Sequence, residues 1–150
     1  MSVKTVGAYL MSVKTVGGFR KLDPAVLGTA IERSLDTVGI MLEGEVVSRA
    51  NENVDTGRHK GSITWKTKKS GSELAGQASS EDEQTAPTES YEVHIGTAVH
   101  YAPHLEYGHK KKGGGSTQAY PHFRSAFDEN LEKVKQLFST ALSKFVGKST

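Results

Sequence analysis

"YPHFRSAFDENLEKVKQLFSTALSKF", residues 120–145, sets Phe123, Phe127, Leu131, Val134, Phe138, Leu142 and Phe145 three or four places apart, and this spacing decides the fold. Side chains at that period share one face of an α-helix, so the stretch predicts a long amphipathic helix opened by Pro121. Such a stripe must be buried against another element, and the chain offers a second helix of the same kind. After Asp23 and Pro24, a cap and a first-turn proline, Leu27, Ile31, Leu35, Val38, Leu42 and Val46 mark one face of a helix running to about Ala50. Glu32, Arg33, Asp36, Glu43 and Arg49 fall largely away from that face. Gly28, Gly39 and Gly44 weaken the helix by about 1 kcal/mol each relative to Ala in an exposed interior, so packing must hold it.

Between the helices the period changes from 3.6 to 2. "NENVDTGRHKGS", residues 51–62, breaks the helical pattern with Asn, Asp and Gly, and its GRHKGS end predicts the start of a strand. "SITWKTKK", residues 62–69, alternates Ile63, Trp65 and Thr67 with Thr64, Lys66 and Lys68, a half-buried strand with a basic outer face. Residues 70–90 carry Leu74 as their one large apolar side chain, which predicts a long, flexible, exposed acidic loop or hairpin tip. "YEVHIGTAV", residues 91–99, returns as a strand with Tyr91, Val93, Ile95 and Thr97 on one face and Glu92, His94 and Gly96 on the other. "APHLEYGH", residues 102–109, predicts a short helix with Pro103 in its first turn and Gly108 as its stop, and residues 110–117, "KKKGGGST", a basic flexible loop.

The expected fold is α+β: a small antiparallel β-sheet packed against two long amphipathic helices, with the long loop between two strands. A single domain then spans residues 23–147, followed by a short tail at 148–150. The heptapeptide MSVKTVG occurs at Met1–Gly7 and again at Met11–Gly17, and residues 1–22 read as an arm, flexible or touching a partner. One tandem copy is too little for a solenoid, and the segment lacks the apolar run of a signal peptide.

Composition narrows the chemistry. With 150 residues the chain can bury roughly two thirds of its unfolded surface around one core. The absence of cysteine excludes a disulfide scaffold, thiolate-bound zinc and a cysteine nucleophile. A net charge of +2 gives no general attraction to nucleic acid, and no stretch approaches the roughly eighteen apolar residues of a membrane span. Charge is nonetheless segregated: residues 58–69 hold Arg58, Lys60, Lys66, Lys68 and Lys69 and no carboxylate, whereas residues 70–90 hold Glu73, Glu81, Asp82, Glu83 and Glu89 and no Lys or Arg. Opposite charge on these segments can steer association, with Glu81, Asp82 and Glu83 as candidate assembly contacts.

Four of the six histidines fall in residues 93–109. His94 and His100 would stand about 20 Å apart on one extended strand, too far to share an ion. His100 and His104 have helical i, i+4 spacing, but Pro103 disfavours helical geometry at Ala102 between them. In "HLEYGH" Glu106 stands two places after His104 and Gly108 interrupts the helix, unlike the zinc-protease pattern H-E-x-x-H. Asp55-Thr56-Gly57 matches the tripeptide of aspartic proteases, yet it follows a polar helix end, where a capping turn with unusual dihedrals at Gly57 accounts for it. GRHKGS lacks the spacing of a phosphate loop. Lys66, Lys68 and Lys69, with Lys110, Lys111 and Lys112, are candidate contacts for phosphates or for assembly, with Trp65 and Tyr107 near them in sequence. Catalytic, metal and cofactor residues are therefore read as none, with a metal-dependent hydrolase and a DNA-binding protein as the remote alternatives.

The order of the pieces carries more than any single motif. A start "MSVKTVGGFRKL", a helix ending in "VDTGRHKGSI", a basic strand, the run "VHIGTAVHYAPHLEYG", a glycine-rich loop and "YPHFRSAFDENLEKV" together resemble the small tail-completion or head-tail joining family of long-tailed bacteriophages. The similarity covers Met11 to about Phe145. It is most specific at Val54, Asp55, Thr56, Gly57 and on to Ser62, at Tyr101-Ala102-Pro103 with Glu106-Tyr107-Gly108, and at Pro121, Phe123, Phe127 and on to Asn130. The resemblance implies a non-catalytic structural protein of the virion neck, present in the host cytoplasm during assembly. It would form a ring, six-fold, between the head connector and the tail tube. Its implied partners are further copies of itself, a head-completion or connector protein, a tail terminator or tail tube protein, and genomic DNA passing without sequence specificity. No membrane and no cofactor are implied; a tail terminator ring is the sibling role. The resemblance makes His100, His104 and His109 local variants, makes Met11 the natural start, and leaves residues 1–10 and the length of the 70–90 segment outside the family pattern.

Overall fold

The computed structural model describes residues 2–6, 10–14, 23–51 and 57–147. Among them it mixes four α-helices with two small antiparallel sheets. Val54, Asp55 and Thr56 and the tail at 148–150 lie outside the described residues.

Helix α1 spans Pro24–Ala50 and α4 spans His122–Gly147. Asp23 starts α1 by accepting a hydrogen bond from Ala25 N at 2.9 Å, with proline in the first turn. The two helices run antiparallel: Arg49 pairs with Glu129 at 2.6 Å, Glu45 with Lys133 at 3.0 Å, and the Arg33 guanidinium stands 5.8 Å from the centre of the Phe145 ring. Between them, and against the sheet, lies one core of Leu35, Val38, Leu42, Val46 and Ala50 from α1, Trp65, Val93 and Ile95 from the strands, and Phe123, Ala126, Phe127 and Val134 from α4. Leu131, expected on the buried stripe, is exposed. Its place is taken by Asn130, whose amide satisfies itself on Ala126 O at 2.9 Å.

The main sheet has strand order β1-β2-β4-β3, all antiparallel: β1 Ser2–Val6, β2 Leu10–Lys14, β3 Thr64–Lys66 and β4 Glu92–Gly96. Residues 2–6 and 10–14, expected within a flexible or partner-touching arm, therefore form strands, and β2 adds directly to β4 with Val13 opposite Val93 and Met11 opposite Ile95. Glycine makes room for the sheet on α1, since a Cβ at Gly39 would stand 2.8 Å from the Trp65 indole. The expected strand start at GRHKGS is instead a short helix, α2, Arg58–Ser62, entered through Gly57 at φ 75°. Five residues, less than two turns, are too few to leave a hydrophobic period in the sequence.

All five residues of β4 are buried, including Glu92, His94 and Gly96. The segment expected as an exposed acidic loop or hairpin tip supplies part of the cover. Most of residues 70–90 are exposed, but Asp82, Gln84 and Pro87 are buried. Gln84 donates to the carbonyl of Thr64 and, at 3.2 Å, to its hydroxyl, while Ala98 N donates to Asp82 O at 3.0 Å. A few polar anchors thus order a segment that lacks the apolar side chains to order itself. After β4, helix α3 spans Ala102–Tyr107, and His109–Lys110 (β5) pairs with Ser116–Thr117 (β6), so the expected loop at 110–117 is a small hairpin. Gly114 and Gly115 turn it at φ 92° and 85°.

Candidate functional site

Three segments far apart in sequence meet where α2, α3 and the start of α4 come together. Helix α3 ends at Gly108, whose φ of 68° suits glycine, and this places Glu106 under the first turn of α4. The Glu106 carboxylate, buried, accepts from Phe123 N at 3.1 Å and Arg124 N at 2.9 Å. It therefore occupies the positive N-terminus of a 26-residue helix, the position at which a carboxylate gains from both unsatisfied N–H groups and the macrodipole. Arg124 closes the arrangement, with its Nε 3.4 Å from Glu106 Oε1 and its guanidinium 4.9 Å from the centre of the Tyr107 ring.

Beside this cap sit two buried imidazoles. The ring of His59 on α2 lies 5.7 Å from that of His122 and 6.2 Å from that of Tyr101, centre to centre. Neither ring nitrogen of His59 has a hydrogen-bond partner among the described residues. Burial, and then the neighbouring His122, push its pKa down from 6.5 to about 4, so it is neutral at pH 7.

The other histidines are scattered. His94 is buried in β4, its Nδ1 3.4 Å from Thr85 O and its Nε2 3.5 Å from Glu92 Oε1. His100 is exposed and stands edge-on to Tyr101, whereas exposed His104 faces His109 with ring centres 4.8 Å apart. Among the described residues no three His or carboxylate side chains are grouped so that they could hold a metal ion. The approach of His104 to His109 and of His59 to His122 was not legible in the spacing of the histidines. Both depend on chain reversals, at Gly108 and at Gly57, that no spacing rule predicts.

The segregated charges also meet within the chain, at Asp82 and Glu83. Arg58 holds buried Asp82 through two hydrogen bonds of 2.8 and 2.7 Å. Together with burial, which opposes it, and Ser79 N, which adds to it, this contact moves the Asp82 pKa down to about 2. Lys66 pairs with Glu83, and Lys69 with Glu32 at 2.8 Å. The basic outer face expected at Lys66 and Lys69 is therefore partly neutralised, while Lys68, Glu81, Lys110, Lys111 and Lys112 are exposed.

One open cleft, of about 600 Å³, runs along α1 beside α2, lined by Glu43, Val47, Asn51, Lys60, Glu73 and Gln77 among others. Burial raises the pKa of Glu43 against the lowering effect of its hydrogen bond from Ser72. The described lining residues include no histidine or hydroxyl nucleophile. No helix among the described residues is long and apolar enough to cross a membrane. No family model matches the chain, and neither a curated protein nor a solved structure matches it significantly.

Proposed function

We propose that the chain is a structural protein of a bacteriophage neck, one subunit of a six-fold ring that joins the head connector to the tail tube, with no catalytic role. One observation supports this reading above the others: the segments that carry the family resemblance are spent on building the scaffold. Gly57 starts α2, which seats His59 between Tyr101 and His122. Gly108 positions Glu106 to cap α4, and Tyr107 covers Arg124. Residues used in this way set the angle between two long helices and a sheet, which is what a ring subunit needs to repeat its contacts accurately.

Ring partners would then be further copies of the chain, the connector above and the tail tube or its terminator below. The exposed Lys110, Lys111 and Lys112 on the β5–β6 hairpin suit contact with the phosphates of passing DNA, independent of sequence. The place of action is the virion neck, after assembly in the host cytoplasm. The sibling role of tail terminator shares these requirements, and the same experiment separates the two. An early stop codon after Met11 is introduced into the phage genome carrying this reading frame, and lysates are viewed by electron microscopy. Filled heads beside separate tails of normal length are expected; tails of irregular length indicate termination instead. Intact infectious virions would overturn both.

A further inference from the structure

Strand β1 ends the sheet order β1-β2-β4-β3, so along one side its backbone groups face no strand among the described residues. The other end of the sheet is closed. Lys66 bridges Gly71, Ser72 N donates to Trp65 O at 3.0 Å, and Ser72 Oγ accepts from Trp65 N at 3.0 Å. Open edges are commonly guarded by proline, charge or a bulge, yet β1, SVKTV, has no proline and a single lysine.

The register says what this edge is suited to. Across to β2, Ser2 of β1 stands opposite Lys14, Val3 opposite Val13 and Lys4 opposite Ser12. Val13 is the third residue of the second MSVKTVG, just as Val3 is of the first. The hairpin is therefore the heptapeptide paired antiparallel with its own duplicate, and a local two-fold axis passes between the two valines. Identical sequences that pair in this way inside one chain can pair in the same way between two chains. In that register no lysine faces a lysine, whereas a register centred on Lys4 would set two like charges opposite each other.

We propose that the free edge of β1 receives β1 of a second copy of this chain, antiparallel, with Val3 opposite Val3 and Ser2 opposite Lys4 of the partner. The two sheets become one across a two-fold axis. Such a contact is isologous and closes as a pair, so it is additional to the ring contacts and does not rest on the neck reading.

The chain has no cysteine, so introduced thiols report only on themselves. Full-length Val3→Cys, Ser2→Cys and Lys4→Cys are oxidised mildly, with Ser143→Cys on the exposed face of α4 as a collision control. Directly opposed residues on antiparallel strands have Cα atoms about 4.5–5.5 Å apart, within reach of a disulfide. Val3→Cys is expected to form covalent dimers. An equal mixture of Ser2→Cys and Lys4→Cys should cross-link several-fold more than either variant alone. Cross-linking no greater than that of Ser143→Cys, or no gain on mixing, overturns the proposal, as does sedimentation of the parent chain as a monomer at the same concentration. Should Val3→Cys fail to fold, the mixture alone decides. Rings that form without cross-links at β1 would sink this contact and leave the neck reading intact; cross-linked pairs from a protein dispensable to the virion would do the reverse.

Discussion

Three glycines lie in α1, and only their surroundings tell them apart. At Gly39 a methyl group would stand 2.8 Å from the Trp65 indole, and at Gly44 nothing lies within 4 Å. Gly44→Ala is therefore expected to stabilise the protein by about 1 kcal/mol, through helix propensity and a less mobile unfolded chain. Gly39→Ala gains the same propensity but must move a buried ring, with a net loss of about 1–3 kcal/mol. Opposite shifts of the urea midpoint would confirm the assignment, and stabilisation by both would disprove the close packing of Trp65 on α1. A sequence reading treats the three positions alike, because propensity is local and the collision partner lies 26 residues away by the numbering. The same limit applies to Asp82 and Glu81, adjacent carboxylates of unlike surroundings. Asp82 is buried on Arg58 and Glu81 is exposed. Asp82→Ala should cost about 2 kcal/mol, because it removes two charge-assisted hydrogen bonds. Glu81→Ser should stay within about 0.5 kcal/mol, and equal losses in chemical denaturation would show that the Arg58 contact is not what holds the segment.

At the scale of elements, what the sequence made legible follows from length. The helices at 24–50 and 122–147 have enough turns for a 3.6-residue period to stand out, and the strand at 92–96 has a clear alternation. Helix α2 and strands β5 and β6 have five residues or fewer, and they are fixed by glycine turns and partners rather than by any period of their own. Strands β1 and β2 did carry a signal in the alternation of Val3 and Thr5 with Lys4, but at a chain terminus so short a period is equally compatible with a flexible or partner-touching arm. Of the candidate site, Gly108 was legible as a helix stop and Glu106 was marked by the resemblance; the capping role of Glu106 becomes visible only when α3 is seen beneath α4. That role predicts a local effect. Glu106→Gln keeps the shape and an acceptor but loses the charge at the helix N-terminus, and should cost about 1 kcal/mol. Glu106→Ala leaves buried N–H groups without their acceptor, and should cost about 2–3 kcal/mol. Hydrogen exchange at Phe123 and Arg124 should rise more in Ala than in Gln. If the two variants unfold alike and leave exchange at α4 unchanged, the cap is not what starts the helix.

For the whole molecule, the node at His59 links acidity to folding. Its imidazole titrates near 4 when folded and near 6.5 when unfolded, so below pH 6.5 the unfolded chain takes up a proton that the folded one refuses. Stability is therefore undiminished above pH 6.5, falls as the pH drops from 6.5 toward 4, and levels once the folded form protonates as well. The loss across that window amounts to about 3 kcal/mol. Asp82 acts in a lower window and by the opposite device: its depressed pKa gives stability that is complete above about 4 and disappears as the pH falls toward 2. The two contributions separate along the pH axis, which makes the first one measurable on its own. Replacing His59 with leucine removes the titrating group without breaking a hydrogen bond, since neither ring nitrogen has a partner among the described residues. Urea unfolding from pH 7.5 to 4.5 should show the parent chain losing stability steadily and His59→Leu losing markedly less, while the two lie within about 1.5 kcal/mol of each other at pH 7.5. Parallel profiles would mean that the ring is hydrated or displaced in solution, and that the junction of α2, α3 and α4 is looser than its geometry implies.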